Sequence, residues 1–254
     1  MRLLLRKIRV ALTPRRCLLK TRLANGAFVF GQNRAGFGGR GIFVFRDSIE
    51  PEFQHLEEFL EPSGVFVDIG ANTGIYTIKA AQHYSKKNGV VLAIEPFLDV
   101  LNVLNHSIQV NGFTNVRLRN FCVGDRIEPG TLWRNFKKPN LFSLVQRDEQ
   151  AACLPTLVVA LDDLMIWEGL DRLDYLKIDV EGAEQQVLLG AKKTIEKYRP
   201  IIQMEVSIHD VSADLLRYSV FQAPESPNKV YIPDEHPKID LPQRLGWVEV
   251  SGFE

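Results

Sequence analysis

Apolar residues along this chain recur with two periods, and the two alternate. Val65, Val67 and Ile69 mark a short buried strand, and Ile75, Ile78 and Ala81 follow at helical spacing, with Asn72 or Thr73 as the expected N-cap. Val90–Ile94 is an unbroken apolar run, the pattern of a parallel strand covered on both faces. Leu101, Leu104 and Ile108 mark the next helix, closed by Asn111-Gly112, and Val116–Val123 a third strand. Thr131–Phe136, Leu141–Val145 and Thr156–Ala160 are short strands between polar turns, which predicts an antiparallel insertion. A short helix beginning at Leu161, a strand at Tyr175–Ile178, a helix through Val187 and Leu188 to Arg199-Pro200, and a strand at Ile201–Val206 restore the alternation. Residues 211–243 carry five prolines and are expected to be irregular, and Trp247–Val250 reads as a last strand. Strands alternating with helices predict an α/β domain around a mostly parallel sheet.

Upstream the pattern is less regular. Residues 1–24 mix leucines with arginines and are split by Pro14. Residues 25–46 are rich in glycine, and Gly41–Phe45 reads as a strand. A helix is expected over residues 52–60; its His55 is taken as surface or core filler. Charge sharpens this division. Net charge is zero, yet eleven of the 31 Lys/Arg and none of the 31 Asp/Glu fall in residues 1–46, leaving 20 basic against 31 acidic residues beyond. We therefore set a basic extension, 1–46, apart from a main domain, 47–254. A basic amphipathic helix can touch an anionic membrane, dock on its own acidic body or stay a mobile arm.

Cys17, Cys122 and Cys153 have no metal-binding spacing, so no metal site and no disulfide framework is expected. No apolar run approaches a membrane span, and arginines interrupt the first leucines, unlike a signal peptide. A cytoplasmic location is expected.

The chemistry gathers at strand ends. Asp68, Glu95, Asp179 with Glu181, and Glu205 each close a predicted strand, and Asp125 follows another. In a doubly wound sheet those ends converge on one crevice. The run Asp68-Ile69-Gly70-Ala71-Asn72-Thr73-Gly74 is D-x-G-x-x-x-G, not the G-x-G-x-x-G of dinucleotide binders. A carboxylate before the first glycine suits a ligand with positive charge, and helix N–H groups suit a carboxylate; S-adenosylmethionine (SAM) carries both. Glu95 lies 27 residues past Asp68, close to the ~30 of one βαβ unit, beside the glycine turn where it can accept both ribose hydroxyls.

Val65–Gly74, Ala93-Ile94-Glu95-Pro96, Leu161-Asp162-Asp163-Leu164 and the string Lys177-Ile178-Asp179-Val180-Glu181-Gly182-Ala183-Glu184 together resemble the FkbM-type SAM-dependent methyltransferases. The resemblance covers about residues 50–210. It implies a class I methyltransferase (Rossmann-like) sheet of seven strands, one of them antiparallel, and O-methylation of a hydroxyl on a sugar, glycan or small secondary product. It also implies that Asp68, Gly70, Asn72 and Gly74 line the amino-acid part of SAM, that Glu95 holds the ribose, and that Asp125 lies near adenine. A hydroxyl acceptor needs a base. Asp179 and Glu181 are the first candidates and His209 the runner-up. A nicotinamide oxidoreductase lacks its fingerprint here; a catalytically silent scaffold is the other alternative. No nucleic-acid partner is expected, because no N-P-P-Y-like tetrapeptide follows the strand at Tyr175.

Overall fold

The computed structural model describes residues 1–15, 17–34, 38–135, 142–145, 150–205, 215 and 217–250. The elements run in order α1 (Arg2–Leu12), β1 (Leu18–Arg22), β2 (Phe28–Gln32), α2 (Gly39–Phe45), a 3₁₀ turn (Arg46–Ser48), α3 (Pro51–Phe59), β3 (Val65–Ile69), α4 (Ile75–Tyr84), β4 (Val90–Ile94) and α5 (Leu98–Asn111). Next come β5 (Val116–Arg119), β6 (Cys122–Gly124), β7 (Glu128–Asn135), β8 (Phe142–Ser143), β9 (Gln150–Ala160), α6 (Leu161–Trp167), β10 (Tyr175–Ile178), α7 (Glu184–Gly190) and α8 (Lys192–Tyr198). The last are β11 (Ile201–Glu205), β12 (Tyr218–Gln222), β13 (Asn228–Pro233), α9 (Leu241–Arg244) and β14 (Val248–Glu249).

The main sheet has the order β14-β12-β13-β11-β10-β3-β4-β5. Strands β5, β4, β3, β10 and β11 pair in parallel, and β13 runs antiparallel between β11 and β12. The short β14 adds a second antiparallel strand, at the edge of β12. The order reverses between β3 and β10, so the crevice opens over their carboxyl ends. Alternation on β3 sorts its side chains: Val65, Val67 and Ile69 enter the hydrophobic layer with Leu92, Leu164 and Leu176, whereas Phe66 packs on the opposite face with Phe53, Leu56 and Ile78.

Four expectations are corrected. Gly41–Phe45 is helical, because the turn from Gly38 closes with the Ile42 N–H on the Gly38 carbonyl and buries Ile42, Phe43 and Val44. A short apolar run has no period that separates strand from helix. The glycines there are packing residues: a Cβ on Gly31 would stand 2.3 Å from Gly39 Cα, so α2 touches β2 backbone to backbone. The third strand is two, since β6 leaves the main sheet to pair in parallel with β9. Residues 211–243 hold the paired strands β12 and β13, whose prolines sit in the connecting turn or at the strand end. The helix expected up to Arg199 breaks at Ala191 into α7 and α8; Gly190 lies against the Gly124 carbonyl, where a Cβ would come to 2.0 Å.

The insertion forms its own sheet, β6-β9-β7-β8. The expected ends at Phe136 and Leu141 lie outside the described residues. Strands β1 and β2 and helix α2 join the core: Asn111 on α5 clasps the Phe28 backbone with both its amide atoms, and Leu23, Val29 and Ile42 share the hydrophobic layer of α3 and α4.

Candidate active site

The turn after β3 is built by three backbone facts. Gly70 and Ala71 both donate N–H to the Ile94 carbonyl at 3.0 Å, which ties the turn to the end of β4. Gly70 has φ +78°, and a Cβ there would lie 1.9 Å from the Asp179 carbonyl oxygen, so the ends of β3 and β10 meet only because the side chain is missing. Asn72 has φ +51°, a left-handed conformation that asparagine tolerates, and its side chain accepts the Thr73 N–H at 2.7 Å.

Glu95 ends β4 with a carboxylate aimed at this turn. Oε2 accepts the Asn72 N–H and Oε1 the Phe97 N–H, each at 2.8 Å. Phe97 is the N-cap of α5, so Glu95 serves turn and helix start together. Burial pushes its carboxyl up to about 7, the two backbone N–H groups pull it back, and the charges of Asp179 and Asp68 push it further up. Each carboxylate oxygen keeps a second acceptor direction.

Glu95 lies on the wall of a cleft of about 810 Å³, measured with its open mouth. Gly70, Asn72, Asp179 and Glu181 share that wall; Phe121, Cys122, Val123, Leu132 and Leu144 give an apolar side. The insertion closes over it through β8, where the Ser143 hydroxyl donates to the Glu181 carbonyl at 2.9 Å. Glu181 itself sits at φ +48°.

Asp179 stands half exposed at the cleft and accepts from Lys177 Nζ at 3.0 Å. The Lys177 side chain is buried, 3.9 Å from Asp68 Oδ1 and 4.9 Å above the Tyr76 ring. Burial draws the lysine down, but Asp179, Asp68 and Glu50 outweigh it and hold the ammonium above its usual range. Behind it runs a chain of hydrogen bonds. The Tyr76 hydroxyl donates to Glu50 and accepts from Gln203, whose carbonyl accepts from the Tyr175 hydroxyl. Glu205, at the end of β11, is raised by partial burial and then by Asp179, Glu184 and Glu50.

Gly70, Asn72, Glu95, Asp179 and Glu181 are thus brought together as expected. Three other expected residues are placed elsewhere. Asp68 is fully buried on the α4 side of the sheet, with Oδ2 accepting the Thr77 hydroxyl at 2.6 Å; it does not line the cleft. Gly74 is the N-cap of α4, and a Cβ there would meet Leu104 at 2.1 Å; it permits helix packing and does not line the cleft. It also displaces Asn72 and Thr73 from the capping role. Asp125 pairs with Arg126 at 3.1 Å and faces a neighbouring hollow beside Glu128 and Gln186. His209 lies outside the described residues. Among the described residues no group of His, Cys, Asp and Glu is placed to hold a metal ion. The sequence reading missed Glu50, Tyr76 and Gln203; a glutamine between Ile202 and Met204 in a buried strand was the available signal.

Residues 68–220 match the model of the methyltransferase FkbM domain. The chain belongs to the FkbM methyltransferase family. One similar protein is the 31-O-demethyl-FK506 methyltransferase FkbM of Streptomyces tacrolimicus, 28% identical over 76% of this chain and 83% of that one. Among solved structures, a methyltransferase FkbM from Methylobacillus flagellatus KT aligns at 20% identity and a TM-score of 0.47, over 76% of this chain and 53% of that one. This FkbM-family chain therefore spans about half of that protein. A precorrin-6y C5,15-methyltransferase from Geobacter metallireducens GS-15 aligns at 14% identity and a TM-score of 0.40, over 71% and 84%.

Proposed function

We propose that this FkbM-family protein transfers the methyl group of SAM to a hydroxyl of a sugar, glycan or small secondary product. The observation that carries the reading is Glu95: a nearly buried carboxylate, fixed by the turn it faces, on the wall of an open cleft with an apolar side. The oxygen acceptor is supported by the Streptomyces relative, whose name describes a methyltransferase for an O-demethyl compound. Membership of a methyltransferase family weighs against the nicotinamide alternative.

The residues present suit SAM. Glu95 has acceptor directions left for ribose hydroxyls, Gly70 and Asn72 offer a turn without bulk, and the side formed by Phe121, Cys122 and Val123 suits a flat base. SAM, when bound, supplies a methyl group on a positively charged sulfur. The chain aligns the acceptor oxygen and excludes water by closing β8 over the cleft. Asp179 takes the hydroxyl proton as the C–O bond forms and the S–C bond breaks, then returns the proton to solvent. Lys177 holds that carboxylate in place at 3.0 Å. Glu181 shapes the rim through its left-handed backbone.

The test is transfer of a labelled methyl group from SAM to a panel of hydroxyl compounds, with calorimetry of SAM binding alongside. Asp179→Asn is expected to keep SAM affinity within about threefold and to lose roughly 10²- to 10⁴-fold in transfer rate. A wild-type protein that binds no SAM would remove the reading altogether. A variant with full turnover would move the base to another residue.

A further inference from the structure

Helix α1 is turned the wrong way round for a helix that belongs to a core. At about 3.6 residues per turn, Met1, Leu4, Leu5, Ile8 and Leu12 fall on one side. That side faces solvent: Leu4 is 62% and Leu12 80% exposed, and no residue of α1 is buried. The side toward the body carries Arg6, Val10 and Thr13, all intermediate in exposure. Polar bonds fasten it there. Arg6 donates to the Val44 carbonyl at 2.9 Å, Asn33 donates to the carbonyls of Val10 and Thr13 at 3.0 and 2.7 Å, and the Arg9 guanidinium lies 5.7 Å from the Phe43 ring centre. A helix that packs for stability buries its leucines and leaves its arginines in water. Here the protein spends hydrogen bonds to hold the leucines outward.

We infer that α1 is a docking surface for an anionic lipid bilayer. The charges decide the partner. Arg2, Arg6, Lys7 and Arg9 lie in the helix with no acidic residue, and all of residues 1–46 lack Asp and Glu. Leucines flanked by cations match acyl chains beneath anionic headgroups. A second copy of the same helix would set like charges against each other, and a nucleic-acid backbone offers nothing to the leucines. The attachment is rigid toward the cleft: α1 packs on α2, whose N-cap Gly38 lies so close to Thr73 that a Cβ would come to 2.9 Å from its hydroxyl, one residue from Asn72 on the cleft wall. Docking through α1 therefore fixes the cleft relative to the bilayer. It stands independently of the methyl-transfer reading.

The test is sedimentation of the full chain with vesicles of phosphatidylcholine alone and of phosphatidylcholine mixed with phosphatidylglycerol. Binding is expected with the mixed vesicles only and is expected to fall as salt rises. A Leu4→Ser/Ile8→Ser/Leu12→Ser variant and an Arg2→Gln/Lys7→Gln variant are each expected to lose about tenfold or more in vesicle affinity. Both substitute exposed positions, so thermal unfolding serves as the folding control and Tm is expected to be unchanged. Equal binding to both vesicle types, or no loss in either variant with Tm unchanged, overturns the proposal. So does a leucine-dependent dimer in a protein that ignores both kinds of vesicle.

Discussion

Two carboxylates stand near the carboxyl ends of neighbouring parallel strands, and the fold uses them in opposite ways. Glu95 follows β4 and turns into the cleft, where it accepts two backbone N–H groups. Asp68 lies within β3 and points through the other face of the sheet, to Thr77 and Lys177. The difference comes from place along the strand: Asp68 is paired inside the sheet opposite Ala93, whereas Glu95 lies just past the last pair, Ile69 and Ile94, where the chain turns. Val65, Val67 and Ile69 share one face, so position 68 must take the other. The acid that a motif reader takes for the ligand contact is then a support. Asp68 fixes Lys177, Lys177 fixes Asp179, and Asp179 reaches the cleft. Burial pushes the Asp68 carboxyl up, while Lys177 and the Thr77 hydroxyl draw it back.

Substitutions separate the two regions. Where they join, at Gly70, the effect is expected to be largest. Gly70→Ala combines a left-handed backbone with a Cβ 1.9 Å from the Asp179 carbonyl, and is expected to cost about 3 kcal/mol or more, read as a fall in Tm of roughly 10 °C together with loss of SAM binding. A variant as stable as the wild type would mean that β3 and β10 do not meet there. On the buried side, Asp68→Asn takes away one of the three acids that hold the Lys177 charge, and is expected to cost about 1–3 kcal/mol in chemical denaturation while SAM affinity moves by less than about threefold. Loss of SAM affinity with unchanged stability would break the comparison, by returning Asp68 to the cleft.

On the cleft side, pH is the sharper tool. The Glu95 carboxyl is held at about 7, so below that value it carries a proton and loses acceptor capacity. SAM affinity is expected to fall as pH drops through about 7, by up to about tenfold per unit, and Glu95→Gln is expected to flatten the profile. The sign for stability without ligand is the reverse. A carboxyl raised from 4.5 stabilises the fold most below that value, and the contribution fades as pH rises through about 7. The smallest effect is expected at Asp125. Paired with Arg126 outside the cleft, Asp125→Asn should change SAM affinity by less than about twofold, and a large loss would bring that turn back to the adenine end.

How much was legible follows from the range of each signal. Strands β3, β4 and β10 and the glycine turn were readable because their periods are local, and so were Glu95 and Asp179 at the strand ends. Helix α2 was hidden: five apolar-rich residues among glycines carry no usable period. Prolines disguised β12 and β13, although Pro224 and Pro227 fall in the turn between them and Pro233 ends β13. The chain Glu50–Tyr76–Gln203–Tyr175 joins residues up to 127 positions apart, and nothing along the sequence announces such a contact. The face of Asp68 was legible in principle, since the alternation that predicts β3 also fixes it.

The most direct measurement is a crystal structure with S-adenosylhomocysteine. The ribose hydroxyls are predicted on the Glu95 carboxylate, the base against Phe121, Cys122 and Val123, and Asp68 out of contact behind Lys177. A nucleoside seated elsewhere, or held by Asp68 in place of Glu95, would contradict the account.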